Sequence, residues 1–520
     1  MRIPSTFVAL CGLQATLASA STAWPWQTYK SSPHEPPSLQ VSKSGPTSPG
    51  YLFFDQSWDA HQYSVFIMSD SNELVWQSPP GDLKGFRVQQ LDGKPVLTYF
   101  NGLGVPEPFG WGYGIVQVLD QSYNSIYNVS LINDNYTALG SVDSSSFVSW
   151  IDMHENTMTS DGTMLVTGYN VTKCDLSSVG GPRNGWIADS LFYEIDVKTN
   201  DILFRWSAKD HLDQIPLEDV QPFYPLEDWG HNSSAPYGYF HINSVEKFRD
   251  GSYLISSRYY CSLFKVAKDG SVDWTLQVSD AMIICTTNTN PRQGETGGDF
   301  KLNGIQWAYQ HDGRIHHEHE DGFVLSIFDN ANSDVTNGTH HTEGMLIYVN
   351  LANHEASSLK TLHDPKDEIY AVSQGNTQLL PGGHAIMGYG SNPKIKEYNA
   401  NGTCVMTAQF GEDGVVASYR AYRSPWVGIP TTSPDVASCV DQEHNKTNVF
   451  MSWNGATENQ NWKVFGGHTR GNLRPVSTVR KTGFETTASV AGGLKFVRVE
   501  AHGFGIEKGV SKVTSVEKMC

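Results

Sequence analysis

Three histidines and a glutamine hold the same phase in four stretches of this chain. The stretches read DMHENTMTSDGTMLVTGY from Asp152, YFHINSVEKFRDGSYLISSRY from Tyr239, AYQHDGRIHHEHEDGFVLSIFDN from Ala308 and SQGNTQLLPGGHAIMGYG from Ser373. In each, a His or Gln with a polar partner opens a segment that runs through a turn into a β-rich strand. The phase-matched residues are His154, His241, His311 and Gln374. A neutral imidazole is both a nucleophile and a proton carrier near pH 7, so three of them at one place would supply both functions. Repetition on this scale is the signature of a β-propeller, whose inner strands converge on a central channel. A lone His at the start of such a strand is more often a structural bond to the next blade. Three at one phase, with the strand-borne Arg258, point to a site.

The elements that must position these residues read as strand, turn, strand from Tyr51 onward. Runs such as YLFFDQ, YSVFIMSD, NELVWQS and FRVQQLDGKPVLTYF alternate Val, Ile, Tyr and Phe with polar residues, and Asp-Gly, Asn-Glu or Pro-Gly marks the turns. Val75-Trp76, Arg205-Trp206 and Asp273-Trp274 fit outer strands that end on a packing Trp. Helical periodicity is absent, apart from short turns near Leu212 to Asp219. The predicted fold is all-β: a six-bladed β-propeller over residues 50–434, then a small C-terminal fibronectin-III-like β-sandwich over 435–520. Ser21 to Pro49 is Ser- and Pro-rich and predicts an extended lead-in.

A net charge of −18 without a Lys/Arg-rich run argues against a nucleic-acid partner. Met1 to Ala20 has one early Arg, an apolar stretch from Phe7 to Leu17 and a small-residue end, and predicts a cleaved signal peptide. No later segment is apolar enough for a membrane span, so the mature protein is expected to be soluble and secreted. Seven sequons, at Asn128, Asn135, Asn170, Asn232, Asn337, Asn401 and Asn445, are expected on surface loops of a secreted glycoprotein. Removing the leader's Cys11 leaves Cys174, Cys261, Cys285, Cys404, Cys439 and Cys520. An even number in an oxidising compartment, without a C-x-x-C spacing, predicts structural disulfides whose pairing is not readable.

HINS with SSR (His241 to Ser244, Ser256 to Arg258), YQHD (Tyr309 to Asp312) and SIFDN (Ser326 to Asn330) together resemble the arylsulfotransferase family, secreted or periplasmic propeller enzymes that work without PAPS. The resemblance covers about Tyr51 to Pro434. DMHE (Asp152 to Glu155), QGN (Gln374 to Asn376) and SWNGATE near Trp453 look like its fungal secreted branch. The resemblance implies ping-pong transfer of a sulfuryl group from an aryl sulfate to a phenol through a sulfohistidine, with no cofactor. His311 matches the nucleophile, His154 and His241 the supporting histidines, and Asn243 and Arg258 the anion site. Two departures put the substrate in question. A segment from Thr275 to Phe300, bearing Cys285, replaces the usual Leu-Gly-Gly after Trp274, and His384 stands where Asn or Asp is usual. If Cys285 bridged Cys261, that segment would be pinned near the channel mouth.

The residues suit this chemistry on their own terms. A cluster holding a second His and an Arg keeps His311 unprotonated. Sulfuryl transfer leaves charge on three equatorial oxygens, so positioned donors do most of the work, and Arg258 offers a rigid fork and Asn243 an amide. His154 or His241 would protonate the departing phenolate. Asp312 could fix a tautomer, although a sequence neighbour points to the other strand face. Gln374 and Asn376 are expected to face the channel and contact substrate. Asn330, with Asp329, could do so too, though Asp-Asn after an apolar strand is also an ordinary turn. No metal is expected. The run His316 to Glu320 lacks ligand spacing and reads as a solvated hairpin, and Lys43-Ser44-Gly45 with Thr47 reads as linker because Pro46 and Pro49 block a helix start. Two alternatives remain: the same site used for hydrolysis or secondary-metabolite tailoring, or a non-catalytic binding protein. Oligomeric state is not legible.

Overall fold

In the computed structural model the described residues are 24–105, 110–132, 135–221, 223–278, 298–333, 340–503 and 509–520. They form an all-β molecule with five short 3-10 turns and no α-helix among them. One of the turns, Leu217–Val220, overlaps the stretch where short turns are predicted, and another, Ala208–His211, ends just ahead of it. No helix is long and apolar enough to cross a membrane.

The β-branched and aromatic runs pair into successive antiparallel meanders. One comprises Leu83–Leu91, Lys94–Gly104, Gly112–Leu119 and Ser125–Val129, and the next Ile151–Met158, Thr163–Cys174, Gly185–Asp196 and Ile202–Ser207. A single Ile151 to Gly114 pairing joins these two into one eight-stranded sheet. Meanders starting at Ile242–Lys247, His311–His316 and Asn376–Leu379 follow. Ala421–Ser424 then pairs with Tyr51–Asp55, so a strand from far along the chain leads the sheet containing Val65–Met68 and Leu74–Gln77. The six leading strands touch one another in cyclic order, from Leu83–Leu91 round to Ala421–Ser424 and back. This order is propeller-like. Because each sheet is covered on both faces by its neighbours, strands such as Val65–Met68 and Ala385–Gly388 are buried throughout. Trp76, Trp206 and Trp274 are buried on outermost strands.

Residues 24–49 are tied to the body. Gln40–Lys43 adds an antiparallel edge strand to Cys404–Gln409, and Lys43 pairs with Asp70 at 2.8 Å. Beyond residue 434, Asp435–Asp441, Lys446–Ser452 and Thr486–Ala491 form one sheet, and Asn459–Gly467 with Arg474–Arg480 and Phe496–Gly503 another. Trp462 and Val464 from the second sheet share a core with Val449 and Met451 from the first. The SWNGATE segment staples this part to the rest: Asn454 exchanges two hydrogen bonds with the Gln77 backbone at 2.9 and 3.0 Å, and Gly455 N–H donates to Val75 O.

The cysteine expectation needs correcting. Cys439 and Cys520 form a disulfide, but Cys174, Cys261 and Cys404 are free thiols. Cys261 is buried and its sulfur accepts the Tyr309 N–H at 3.3 Å, a structural use that needs no second cysteine. Burial pushes its thiol up to about 12. Cys285 lies outside the described residues, as do most of its segment, the leader and Asn337. Asn135, Asn232, Asn401 and Asn445 are exposed outside strands, whereas Asn128 and Asn170 sit within strands rather than loops, and Asn170 is half-buried.

Candidate active site

The leading strands carry an irregularity where they reach the axis. The ladder slips between Lys84 and Arg87, between Asp152 and Asn156, between Ile242 and Ser244, and between His311 and Arg314. Such bulges turn side chains that a regular strand would send into the sheet stack, and they gather beside functional sites. His241 and Gln374 lie just ahead of their strands at φ of 56° and 65°, backbone that non-glycine residues adopt only where the surroundings hold it.

His154, His241, His311, Arg258 and Gln374 line one cavity of about 520 Å³, a volume suited to a small aromatic ligand. His311 is oriented from behind: its Nδ1 is 2.7 Å from Asn330 Oδ1 and 3.1 Å from Tyr309 O. Both are acceptors, so Nδ1 carries the proton, and the Gln374 N–H donating to Nε2 at 3.3 Å agrees that Nε2 holds the lone pair. Burial first, then the charge of Arg258, holds this imidazole well below its ordinary pKa of 6.5, and the Asn330 bond opposes the shift only in part.

His154 and His241 form a second unit. Asp152 Oδ2 lies 2.5 Å from His154 Nδ1 and also accepts from Thr167 Oγ1 at 2.9 Å. The far nitrogen of His154 faces His241 Nε2 at 3.1 Å, and His241 packs edge-on against Tyr259. Burial, then His154, Arg258 and His311, drives His241 well below 6.5. A carboxylate behind one imidazole and a second imidazole in front make a chain along which one proton can be shared. Arg258 is fixed over the Tyr259 ring at 5.1 Å and donates to Val372 O at 2.9 Å, which aims its fork at the cavity wall.

Three expected substrate contacts have other work. Asn243 is not on the cavity wall: its Nδ2 donates to Gln310 O at 2.6 Å, inside the protein. Asn376 clamps Ala421 with two bonds of 2.8 Å and thereby pins the ring-closing strand. Asn330 is fully buried behind His311 and positions it. Asp312 meets Arg314 at 2.9 Å and Arg420 at 3.5 Å, on the strand face away from the imidazole. His316 bonds Ser326 and Glu318 meets Arg249, as a hairpin would have it.

Several residues of the site were not anticipated. Lys84 lines the cavity, its Nζ 2.5 Å from Asp82 Oδ1. Lys84-Gly85-Phe86-Arg87 bulges over the same interval as His311-Asp312-Gly313-Arg314, with Gly85 and Asp312 both at positive φ. Lys84 therefore occupies in its own sheet the place of His311, and the matching Arg three residues on is the signal that could have found it. Tyr419 packs edge-on to His154 at 5.6 Å and donates to its carbonyl, while Trp58 and Tyr63 add aromatic wall. Beneath the cavity, fully buried Glu155 joins Arg314 at 2.7 Å, Arg87 at 3.0 Å and Arg420 at 3.3 Å. Burial raises its pKa, but the three guanidinium groups outweigh that and hold it well below the usual carboxylate range.

The cavity brings three imidazoles and a guanidinium onto one wall. The arylsulfotransferase (ASST) family matches residues 87–411, and the chain belongs to that family. Membership implies an aryl sulfate donor and a phenolic acceptor, with transferase-like activity in general terms. No curated protein matches the chain. Among solved structures, a protein of unknown function from Bacteroides caccae is similar over 72% of this chain and 98% of its own, at 11% identity and a TM-score of 0.38. The GH43 BlXynB protein from Bacillus licheniformis covers 83% and 89%, at 8% and 0.31. Apo AztD from Citrobacter koseri covers 72% and 99%, at 10% and 0.27. These overlaps are too loose to bear on function.

Proposed function

We propose that the protein is a secreted aryl sulfotransferase that moves a sulfuryl group from an aryl sulfate to a phenol through a sulfohistidine at His311, with no diffusible cofactor. The observation that carries this reading is the tautomer of His311: two acceptors at Nδ1 leave the Nε2 lone pair toward a cavity that Arg258 also lines. In the first half-reaction Nε2 forms a bond to sulfur as the S–O bond to the aryl oxygen breaks. The phenolate takes a proton held between His154 and His241, whose positive charge Asp152 balances until it leaves. In the second, the acceptor phenol's oxygen attacks sulfur, the N–S bond breaks, and the phenol's proton returns to the pair. Arg258 neutralises charge on the equatorial oxygens throughout, while Gln374 lies across the cavity as a substrate contact.

The same reading extends to the whole chain. Six meanders serve as the six blades of a propeller over residues 50–434, and residues 435–520 as a β-sandwich. Residues 1–20 act as a signal peptide, and the sequons carry glycans on a secreted product.

The test is turnover of a chromogenic aryl sulfate by the purified glycoprotein, with and without a phenol, combined with intact-mass measurement. Release that depends on acceptor, and a sulfuryl adduct in the wild type but not in His311→Ala, are expected. Release indifferent to the acceptor would make the protein a hydrolase, and an adduct persisting in His311→Ala would displace the nucleophile.

A further inference from the structure

On the rim of the sheet led by His311 lies a second group of ligand-type side chains that the proposed chemistry does not use. The ladder between Glu343–Asn350 and Glu355–Leu362 ends with Gly344 opposite Leu362, so Glu343 and His363 emerge side by side at its open end. His341 stands two residues before Glu343. His341 Nε2 lies 2.7 Å from Glu343 Oε1, His363 Nδ1 lies 3.9 Å from the same oxygen, and all three ligand atoms fall within 4.8 Å of one another. The two imidazole rings are 4.6 Å apart and inclined at 36°.

Two features separate this group from a chance surface ion pair. His341 Nε2 is buried and, although 2.7 Å from Glu343 Oε1, makes no hydrogen bond. Two ligands held about 2.0–2.2 Å from a tetrahedral zinc stand roughly 3.3–3.6 Å apart, so the 2.7 Å contact would open by less than about 1 Å to admit the ion. The other nitrogen, His341 Nδ1, faces Glu368 Oε1 at 4.0 Å, the side from which a carboxylate orients a ligating imidazole. The side chains of His341, Glu343 and His363 are 23%, 18% and 38% exposed, so an ion can enter from solution.

We propose that His341, Glu343 and His363 form a binding site for a zinc-class transition metal cation, with Glu368 as its orienting carboxylate and a fourth position left to water. Two imidazoles and one carboxylate suit such an ion and not calcium or magnesium, which take oxygen ligands. The ion would tie two segments that support His311 from behind. Between two of the ligands, Thr342 Oγ1 donates to Asn330 O at 3.0 Å and accepts the Ala371 N–H at 2.8 Å, and just before them His340 reaches Asp329 at 2.9 Å. The ion's role is to anchor this scaffold; the site stands whether or not His311 is a nucleophile.

Untagged full-length protein, stripped with a chelator and dialysed, is titrated with Zn²⁺ by calorimetry and against a chromogenic zinc indicator, with thermal melts of each sample. One zinc per chain and a raised melting temperature are expected for the wild type. Both should vanish in the folded double variant His341→Ala/His363→Ala and persist in His317→Ala, from the neighbouring hairpin. Glu368→Gln should weaken binding about 10- to 100-fold. A stripped wild type that takes up no zinc, or a double variant that binds as the wild type does, overturns the proposal. Should the double variant fail to fold, Glu343→Gln is titrated instead, and unchanged zinc affinity there is equally fatal.

Discussion

The chemistry of His311 rests on a side chain that never meets substrate. Asn330 accepts the Nδ1 proton at 2.7 Å and is itself held by donating to Ala371 O and Gln374 O. Asn330→Ala frees the ring to turn and to carry its proton on Nε2, where it blocks attack, so kcat should fall about 10²-fold with KM little changed. Asn330→Asp, which keeps an acceptor, should recover part of the loss, and steady-state kinetics on both variants check it. The depressed pKa values give a second prediction. His311 and His241 stay neutral well below 6.5, so the acid limb of kcat/KM should lie below pH 6.5 and not at it. Stability carries the opposite cost. The unfolded chain binds protons at 6.5 that these buried rings refuse, so stability is full above 6.5 and is lost as pH falls below it. A pH–rate profile and chemical denaturation from pH 7.5 to 5 read the two effects separately. At this scale the three histidines and Gln374 were legible because their types and phase are explicit in the chain, and Arg258 because it closes the SSR motif of the family resemblance. Asn243, Asn330 and Asn376 were legible as site-associated polar residues but not in role, since an amide's partners depend on which strand lies opposite.

The elements matter through their departures from regular strand geometry. The repeat phase in the sequence marks where leading strands begin, but the bulges that turn Lys84 and His311 toward the axis have no signature beyond a Gly-containing tetrapeptide. Lys84 was missed for that reason. Gly375 shows how tightly one such entry is fixed. It sits at φ +99°, and an added Cβ would lie 2.3 Å from the Phe328 ring, so both the backbone and the packing demand glycine. Gly375→Ala should cost about 1–3 kcal/mol in a urea titration. It should also raise KM for the aryl sulfate, because neighbouring Gln374 lines the cavity and bonds His311. Wild-type stability in that variant would mean the entry is looser than its contacts imply.

For the whole molecule the question is what holds separate sheets in one ring, and the answer is ionic as well as apolar. Glu155 takes Arg87 from the meander before its own, Arg314 from two meanders beyond, and Arg420 from just ahead of the ring-closing strand. No local pattern announces this, because the partners are separated by up to 265 residues and meet only once the ring is closed. Replacing Glu155 by Gln leaves three buried guanidinium groups short of their counter-charge, with a cost of about 3–5 kcal/mol at neutral pH. The pH dependence separates this from mere repacking. Glu155 is held ionised far below its ordinary 4.5, so its contribution is fully present above pH 4.5 and fades as pH falls below it. The gap in unfolding free energy between wild type and Glu155→Gln should therefore be constant from pH 7 to about 5 and shrink on further acidification, while the acid loss due to the buried histidines cancels between the two proteins. Parallel urea titrations of both down to pH 3 measure it. A gap independent of pH would mean that Glu155 holds the ring by shape and hydrogen bonding alone.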